Sequence, residues 1–373
     1  MSLLFSPFKL PSPQGGLLLA NRIVIAPMCQ YSSVNGEAAD WHLAHWTQLL
    51  NSGAGLMTIE ATGVSAEGRI TPGCLGLWDE RTEHALGSTL ARARKLAPPM
   101  PVCIQLAHAG RKASSAAPWH GGQLIQAEQG GWHPLAPSAL AQLPGEAAPQ
   151  AMTLAQLAQV REEFVVAAQR AKRIGIDAIE LHSAHGYLLH QFLSPLANQR
   201  TDNYGGSLDN RLRFPLEVFA AVRQVFDGPV GLRISATDWV EGGWDLAQTE
   251  EFTRHLKALG CDFVHISTAG VSPLQKIAIA PGFQVPFASA VRKASGLPVT
   301  AVGLITQPQQ AEDILQAGDA DLIAIARALL YRPRWPWEAA AALAGQVDAS
   351  VQYWRCLPRE AQAIFGNVKI DQR

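Results

Sequence analysis

Two histidines and a tyrosine occur within one short segment, His182-Ser183-Ala184-His185-Gly186-Tyr187. The segment follows a short, mostly apolar run, Ala178–Leu181, which predicts a buried strand. Imidazole N–H groups can hold a substrate oxygen by hydrogen bonds, and a phenol close by can donate a proton. The combination therefore favours a site that polarises an electron acceptor over one that hydrolyses a bond.

A metal site is the alternative chemistry for the same histidines. With His190 nearby, His182 and His185 could ligate zinc in a metal-dependent barrel hydrolase. Zinc needs three or more converging ligands with a typical spacing, and the chain has no HExxH or HxH–Asp pattern. The cysteines form no CxxC pair and no iron–sulfur spacing; they are Cys29, Cys74, Cys103, Cys261 and Cys356. We therefore expect no metal site, and reduced thiols.

Composition narrows the class of partner. The chain has 373 residues, 48% of them hydrophobic, so it can bury a large core. A formal net charge of −1 gives no general attraction to nucleic acid or to an anionic membrane, which leaves a small molecule as the expected partner. No basic N-terminal start and no apolar run of about 20 residues is present. We therefore expect neither a signal peptide nor a membrane span, and a cytoplasmic location.

Short apolar runs alternate with helical stretches along most of the chain. The predicted strands are Ile23–Met28, Leu56–Thr62, Val102–Ala107, Ala178–His182, Val230–Ser235, Phe263–Ser267, Val299–Leu304 and Leu322–Ala326. The predicted helices include Trp41–Leu50, Leu154–Ile174, Gln248–Leu259 and Gln309–Ala317. Eight such units, without a GxGxxG fingerprint after the first strand, predict a closed (β/α)8 barrel rather than an open doubly wound sheet.

The remaining residues are expected to be insertions and tails on a single domain. The barrel should span about residues 22–344, with a C-terminal tail over 345–373. Lys9–Asn21 could form a hairpin that plugs the bottom of the barrel. Lys112–Met152 and Pro195–Asn210 follow the third and fourth strands, on the face where such barrels carry their chemistry.

Five motifs in order give the chain a family resemblance. They are Ala26-Pro27-Met28-Cys29-Gln30-Tyr31, Gln105–Lys112, His182–Tyr187, Tyr204-Gly205-Gly206-Ser207 and Asn210-Arg211. Together they resemble the Old Yellow Enzyme family, and in particular its thermophilic-like subclass, which includes the xenobiotic reductases. The resemblance implies a barrel that binds FMN tightly but non-covalently and reduces activated C=C bonds with NADPH or NADH.

The resemblance also implies which residues contact the flavin. They are Ala26, Pro27, Met28, Cys29, Ala61, Gln105, Arg233, Gly303, Ala326 and Arg327. Cys29 would tune the electron affinity of the flavin. The simpler interpretation of a lone cysteine is a small, buried, hydrophobic side chain. Burying the charge of Arg233 in an apolar strand is costly unless an anion pairs with it. That anion could be the reduced flavin or a carboxylate such as Glu60 or Glu180. Gly303 and Arg327 would bind the phosphate.

Substrate binding and catalysis are assigned from the same resemblance. His182 and His185 would hold the oxygen of an enone, enal, maleimide or nitroalkene, Tyr31 would assist, and Tyr187 would protonate the carbon. Hydride would pass through flavin N5 in a ping-pong sequence. Arg355 would reach the partner's active site in a homodimer or a dimer-based homo-oligomer. The alternative is a tail that packs on its own barrel or frays in solvent. A non-catalytic flavin-binding protein and the metal-dependent hydrolase remain the alternatives.

Overall fold

Eight parallel strands close into a barrel in the computed structural model, which describes residues 2–366 and 368. The strands are β1 (Ile23–Ile25), β2 (Leu56–Gly63), β3 (Val102–Ala107), β4 (Ala178–Ser183), β5 (Val230–Ser235), β6 (Phe263–Ser267), β7 (Val299–Ala301) and β8 (Leu322–Ile325). Each strand pairs with the next one along the chain, and β8 pairs with β1. The predicted (β/α)8 fold is confirmed.

Helices cover the outside of the barrel. They are α1 (Asp40–Leu50), α2 (Glu80–Arg94), α3 (Leu154–Arg173), α4 (Leu188–Leu193), α5 (Leu208–Val225), α6 (Leu246–Ala258), α7 (Val285–Ser295), α8 (Pro308–Gln316), α9 (Arg327–Tyr331) and α10 (Trp335–Leu343). Each crossover carries at least one helix, which is the pattern that buries a parallel sheet on its outer face. Because both faces of the strands are covered, the strand sequences are almost continuously buried.

Side chains alternate along the strands between two apolar regions. Those that face outward, such as Ile104 and Leu106 of β3, join the large cluster between the barrel and its helices. Those that face inward near the start of the strands, such as Cys103 and Phe263, form a second cluster inside the barrel. The lower half of the barrel is therefore a filled apolar core, and a site must lie above it.

An N-terminal hairpin closes the lower end of the barrel, as the sequence predicted. Its strands, Phe8–Leu10 and Leu17–Leu19, pair in antiparallel fashion. Leu10 and Leu19 are fully buried and belong to the same cluster as the inward-facing barrel residues. Burying two leucines in this way stabilises the fold by about 3–6 kcal/mol.

Several predicted element ends differ from the structure. β1 and β7 end at Ile25 and Ala301, earlier than predicted, because the chain leaves the ladder to form the barrel mouth. The helix after the Tyr-Gly-Gly-Ser turn begins at Leu208, and Ser207 caps it by accepting a hydrogen bond from the Asn210 N–H.

Two long insertions follow β3 and β4 at the upper end of the barrel, as expected. The first contains two short 3-10 turns and a two-residue strand pair, Leu135–Ala136 with Gln150–Ala151. The second includes α4 and the turn before α5. Both therefore contribute to the rim of the barrel mouth.

The C-terminal tail packs against the chain's own α10. Val347, Ile364 and Phe365 are buried beside Trp337, and the Tyr353 ring lies 5.9 Å from that indole. The Arg334 guanidinium covers the Tyr353 ring at 4.0 Å. Across residues 2–366 and 368, none of the helices has both the length and the apolar composition needed to cross a bilayer.

Candidate active site

A layer of polar side chains lies above the apolar core, inside the upper half of the barrel. Gln105, Glu180, Arg233 and His265 come from β3, β4, β5 and β6, and each is buried. The strand register aligns Gln105 with Glu180 and Arg233 with His265. A side-chain contact between Glu180 and His265 passes across β5, which places both residues inside the barrel.

Glu180 is the centre of this layer. Its Oε1 accepts a hydrogen bond from Gln105 Nε2 at 2.7 Å, and its Oε2 lies 2.9 Å from His265 Nδ1. Burial tends to raise the pKa of Glu180, but the neighbouring His265, Arg233 and Gln105 outweigh it and lower the pKa. The carboxyl is therefore ionised and satisfied by two neutral donors.

Arg233 forms neither of the salt bridges considered from the sequence. Glu180 is bound to Gln105 and His265, whereas Glu60 accepts the Gln30 N–H at 2.8 Å. Arg233 Nε has no hydrogen-bond partner among the described residues. Burial lowers the pKa of Arg233 and the nearby Glu180 carboxylate raises it, but a guanidinium remains protonated, so the site holds a buried cation that forms no salt bridge with a described residue. Such a charge is costly unless an anion binds beside it.

A cavity of about 610 Å³ runs from Arg233 to the ends of β7 and β8. Gly303, Ala326 and Arg327 line this cavity, and the phosphate role of Gly303 and Arg327 stays a prediction. Gly303 has φ +117°, and a Cβ there would lie 2.6 Å from Gln284 Nε2. Backbone and cation therefore meet in a cradle that only glycine fits, and the exposed Arg327 can pair with a phosphate.

His182, His185 and Tyr187 meet at the mouth beside this cavity's buried end. The His182 ring centroid lies 4.6 Å from that of Tyr187 and 5.2 Å from that of His185, each pair at 85°. Burial, together with the charge of Arg233, holds the pKa of both histidines well below the usual range. The imidazoles are therefore neutral hydrogen-bond donors rather than cations.

Hydrogen bonds indicate which imidazole nitrogen carries the proton. His182 Nδ1 accepts the Ala184 N–H at 3.3 Å, so Nε2 bears the hydrogen and is free to donate. His185 Nε2 lies 2.8 Å from Ser267 Oγ, and the Ser267 hydroxyl donates its hydrogen to Gln284 Oε1 at 3.2 Å, which favours a hydrogen on His185 Nε2. His185 can offer Nδ1–H to a ligand only when the Ser267 hydroxyl turns away from Gln284 and donates to His185 Nε2.

The turn that carries these residues has a strained backbone at His185, and a hydrogen bond from Lys112 stabilises it. His185 has φ +56°, a conformation that costs a non-glycine residue about 1–2 kcal/mol. Lys112 Nζ donates to the His185 carbonyl at 2.8 Å, and its ammonium lies 5.7 Å from the Tyr187 ring centroid. Burial lowers the pKa of Lys112 to about 8, with a contribution from Arg111.

His190 belongs to a different site from the other two histidines. Its Nδ1 accepts the Gly186 N–H at 2.9 Å, and its Nε2 lies 2.9 Å from Asp238 Oδ1. Both nitrogens are thus committed to positioning the turn, and the three histidines do not converge. Within the described residues, no cluster of three or more potential metal ligands occurs.

Cys29, Tyr31 and Ala61 form the opposite wall, in one apolar cluster with Tyr187. Burial raises the pKa of the Cys29 thiol and of both phenols, so all three groups stay protonated at neutral pH. Glu60 lies behind this wall, and burial raises the pKa of its carboxyl to about 8. The irregular pairing of β2 with β3 at Glu60 and Ala61 sets where this wall projects.

Trp119 and Trp132 occupy the insertion after β3. The Trp119 ring meets Tyr31 edge-on at 5.7 Å but is largely exposed and lines neither cavity, whereas Trp132 Nε1–H donates to the Glu67 carbonyl. Tyr31, Lys112 and Tyr187 line a second cavity of about 240 Å³ beneath the insertion. This smaller cavity adjoins the reactive side chains and has room for a small substrate.

The structure therefore gathers most of the predicted site residues at one mouth. Met28 instead packs against the outer cluster between the barrel and its helices. Arg355 is exposed on the tail beside α10, away from the residues that line either cavity. Lys112, Ser267 and Gln284 contribute to the site without having been predicted from the sequence. Lys112 lies in a motif identified from the sequence, but the other two carry no local signal, because distant strands and helices bring them to His185.

A (β/α)8 barrel whose mouth brings together Gly303, Arg327, a buried guanidinium and a protonated phenol is the arrangement expected of a flavin-dependent barrel oxidoreductase. Comparison with known proteins agrees with this class. Residues 3–346 match the NADH:flavin oxidoreductase / NADH oxidase family. The chain belongs to the Old Yellow Enzyme family of FMN-linked oxidoreductases, which confirms the resemblance found in the sequence.

Two curated relatives and one solved structure illustrate the similarity. The NADPH dehydrogenase of Geobacillus thermodenitrificans strain NG80-2 is 42% identical over 356 residues, covering 95% of this chain and 98% of the relative. The NADPH dehydrogenase of Halalkalibacterium halodurans is 42% identical over 342 residues, covering 91% and 96%. Morphinone reductase has a TM-score of 0.75 at 26% identity and covers 99% of both chains. The chain is thus an oxidoreductase of the NADPH dehydrogenase type.

Proposed function

We propose that this protein uses FMN and NADPH, or NADH, to reduce activated C=C bonds in small enones, enals, maleimides and nitroalkenes. The observation that carries the proposal is the meeting of His182, His185 and Tyr187 beside the buried cation of Arg233. Neutral imidazoles next to a protonated phenol suit a substrate whose oxygen must accept hydrogen bonds and whose carbon must receive a proton.

The residues at the mouth fit a tightly but non-covalently held FMN. Arg233 would face the anionic part of the reduced ring, Gln105 its pyrimidine edge, and Gly303 and Arg327 the phosphate. Ala26, Pro27, Met28, Ala61 and Ala326 would supply backbone contacts to the same group. When bound, FMN supplies two-electron transfer between the nicotinamide nucleotide and the alkene.

The two histidines would polarise the substrate. His182 Nε2–H is free to donate, and His185 contributes a second donor once Ser267 donates to its Nε2. Two hydrogen bonds to one carbonyl or nitro oxygen draw electron density from the β-carbon. Because their lowered pKa keeps both imidazoles neutral, they donate hydrogen bonds to the oxygen but have no imidazolium proton to transfer, which leaves protonation to another group.

Tyr187 would then protonate the α-carbon. Its raised pKa keeps the phenol protonated until charge develops on the substrate. Tyr31, on the opposite wall of the same cavity, would assist in binding the oxygen. Lys112 would hold the His185 turn in place through the carbonyl that it bonds.

We also propose that the protein forms a homodimer, as in the thermophilic-like subclass, with Arg355 reaching the partner's substrate pocket. Support comes from the exposure of Arg355 and from its place beside Tyr353 and Trp354. Truncation after Gly345 would disturb the fold as well, because Val347 and Phe365 pack on Trp337. Arg355→Ala is the cleaner variant. A raised KM for enones in a dimer is expected, and a monomeric wild-type protein by light scattering would contradict the shared site.

The experiment that tests the function is optical. Purified protein should be yellow, should lose that colour when NADPH is added without oxygen, and should regain it on addition of cyclohexenone. The released chromophore should be identified as FMN after denaturation. Colourless protein that cannot be reconstituted with FMN, or coloured protein that NADPH does not bleach, would refute the proposal. Stoichiometric zinc lost on removing His182 and His185 would instead support the hydrolase.

A further inference from the structure

Only one end of the Gln105 side-chain amide has a hydrogen-bond partner in the protein. Its Nε2 donates to Glu180 Oε1 at 2.7 Å. Its carbonyl oxygen makes no hydrogen bond among the described residues, although the side chain is only 2% exposed. This oxygen is not fully enclosed by the protein, so it is open to an N–H donor that a ligand brings into the barrel.

The orientation of this amide does not depend on how its two ends are assigned. Glu180 is ionised, and an ionised carboxylate can only accept hydrogen bonds. Turning the Gln105 amide over would place two acceptor oxygens against each other with no hydrogen between them. The amino end must therefore face Glu180, and the carbonyl end must be the one left for the ligand.

Glu180 is itself prevented from moving away. Its second oxygen lies 2.9 Å from His265 Nδ1, which must carry the proton in this contact. The main chains of Gln105 and Glu180 are aligned in the β3–β4 ladder, so the side chains share one layer of the barrel interior. The three residues thus form a clamp in which His265 holds Glu180 and Glu180 holds Gln105.

We propose that Glu180 is a positioning residue that sets cofactor specificity by fixing the carbonyl of Gln105 as the acceptor. The ligand edge at Gln105 must then present an N–H, and the flavin N3–H is the donor of that kind in FMN. This inference rests on the proposed use of FMN. It adds the role of Glu180, which decides through its hydrogen bond that the carbonyl end of the Gln105 amide meets this N–H.

A double-mutant cycle tests whether Glu180 acts through Gln105. FMN is titrated into apoprotein by fluorescence quenching for the wild type, Glu180→Gln, Gln105→Leu and the double variant. Because the amide introduced by Glu180→Gln could pair with either orientation of its neighbour, this variant should bind FMN about 5- to 30-fold more weakly. In the Gln105→Leu background the same change should alter Kd less than about twofold. Additive effects would overturn the inference.

A spectroscopic measurement separates orientation from simple loss of charge. With ¹⁵N-labelled FMN, the N3–H resonance of the wild-type complex should show a strong hydrogen bond, which Glu180→Gln should weaken. Glu60→Gln is the matched control, since it also removes a buried carboxyl but its hydrogen bond is to Gln30 rather than Gln105. An unchanged N3–H signal in Glu180→Gln, or an equal change in both variants, would overturn the inference.

The wild-type protein provides a test that needs no variant to fold. N3-methyl-FMN lacks the donor, so we expect the apoprotein to bind it at least about tenfold more weakly than FMN. Equal affinities would overturn the role of Glu180 while leaving the proposed function intact. Failure of the wild-type apoprotein to bind FMN at all would instead contradict the proposed function.

Discussion

The floor and the rim of the barrel mouth hold their side chains in different ways. The floor, defined as Gln105, Glu180, Arg233 and His265, comes from paired strands whose register fixes every Cα. The rim, defined as Tyr31, Lys112, His185 and Tyr187, comes from the loops after β1, β3 and β4. The floor is therefore positioned by backbone ladders, and the rim by contacts between loops.

Backbone strain follows the same division. Tyr31 and His185 on the rim have φ values of +50° and +56°, and other loops at this end contain Ser114, Ala269 and Leu304 in similar conformations. Each of these left-handed backbone conformations destabilises the fold by about 1–2 kcal/mol. No floor residue has a positive φ. Strain that is concentrated at one end of a barrel indicates that function rather than stability determines the rim conformation.

We infer that the floor and the rim have different functions. The floor would select and hold the cofactor, because its donors and acceptors cannot shift without breaking the sheet. The rim would bind substrate and move protons, because loops can vary while the barrel stays the same. Variants of the floor should therefore change cofactor affinity, and variants of the rim should change the half-reaction with substrate.

Tyr187→Phe on the rim should have the largest effect. Reoxidation of the reduced enzyme by cyclohexenone should slow by about 10² to 10⁴, the usual contribution of a general acid. Reduction by NADPH should be unchanged because the phenol takes no part in it. Stopped-flow absorbance measures both half-reactions separately. An unchanged oxidative rate would leave Tyr31 or water as the donor.

His182→Ala with His185→Ala should have the next largest effect. Phenolate ligands mimic the substrate oxygen and give a long-wavelength charge-transfer band in this family. Loss of two charge-assisted hydrogen bonds should weaken their binding by at least about tenfold. Optical titration gives both affinity and band intensity, with each single variant as control. Wild-type affinity in the double variant would remove these histidines from the oxygen site.

Arg233→Met tests the floor. Because the guanidinium is buried and unpaired, its removal should not destabilise the apoprotein, and the Tm should stay constant or rise. FMN should bind at least about tenfold more weakly, and the reduced form should be affected most, since it carries the negative charge. Calorimetry of apoprotein and FMN titration measure the two effects. A lower apoprotein Tm would indicate that Arg233 has a structural partner.

Cys29→Ala should give the smallest change. The thiol lies in the wall with Tyr31, and its raised pKa keeps it protonated, so it would act on the flavin through polarisability rather than charge. FMN should remain bound, while the midpoint potential and the balance of the half-reactions shift. Potentiometry with Cys74→Ala as a control distinguishes this from a packing change, and an unchanged midpoint would assign Cys29 to packing.

Much of the fold was predictable from local sequence. β3, β5 and β6 were predicted at their observed ends, because each is a continuous buried run bounded by turn residues. β1 and β7 were predicted too long, since Ala26-Pro27-Met28 and Val302-Gly303 are as apolar as a strand yet line the site. Apolar character alone cannot distinguish a residue that packs on the core from one that awaits a ligand.

The sequence by itself determined the barrel, its hairpin plug and the motifs at the strand ends, because periodicity and turn chemistry are local properties. Only the tertiary structure decided which charges are paired. Glu60 and Glu180 were equal candidates to neutralise Arg233, but Glu60 bonds the Gln30 backbone and Glu180 bonds Gln105 and His265. The folded barrel also places His190 against Asp238, which separates it from His182 and His185. Pairing depends on distances of a few ångströms between strands that are far apart in the chain, and the sequence does not encode those distances in any one segment.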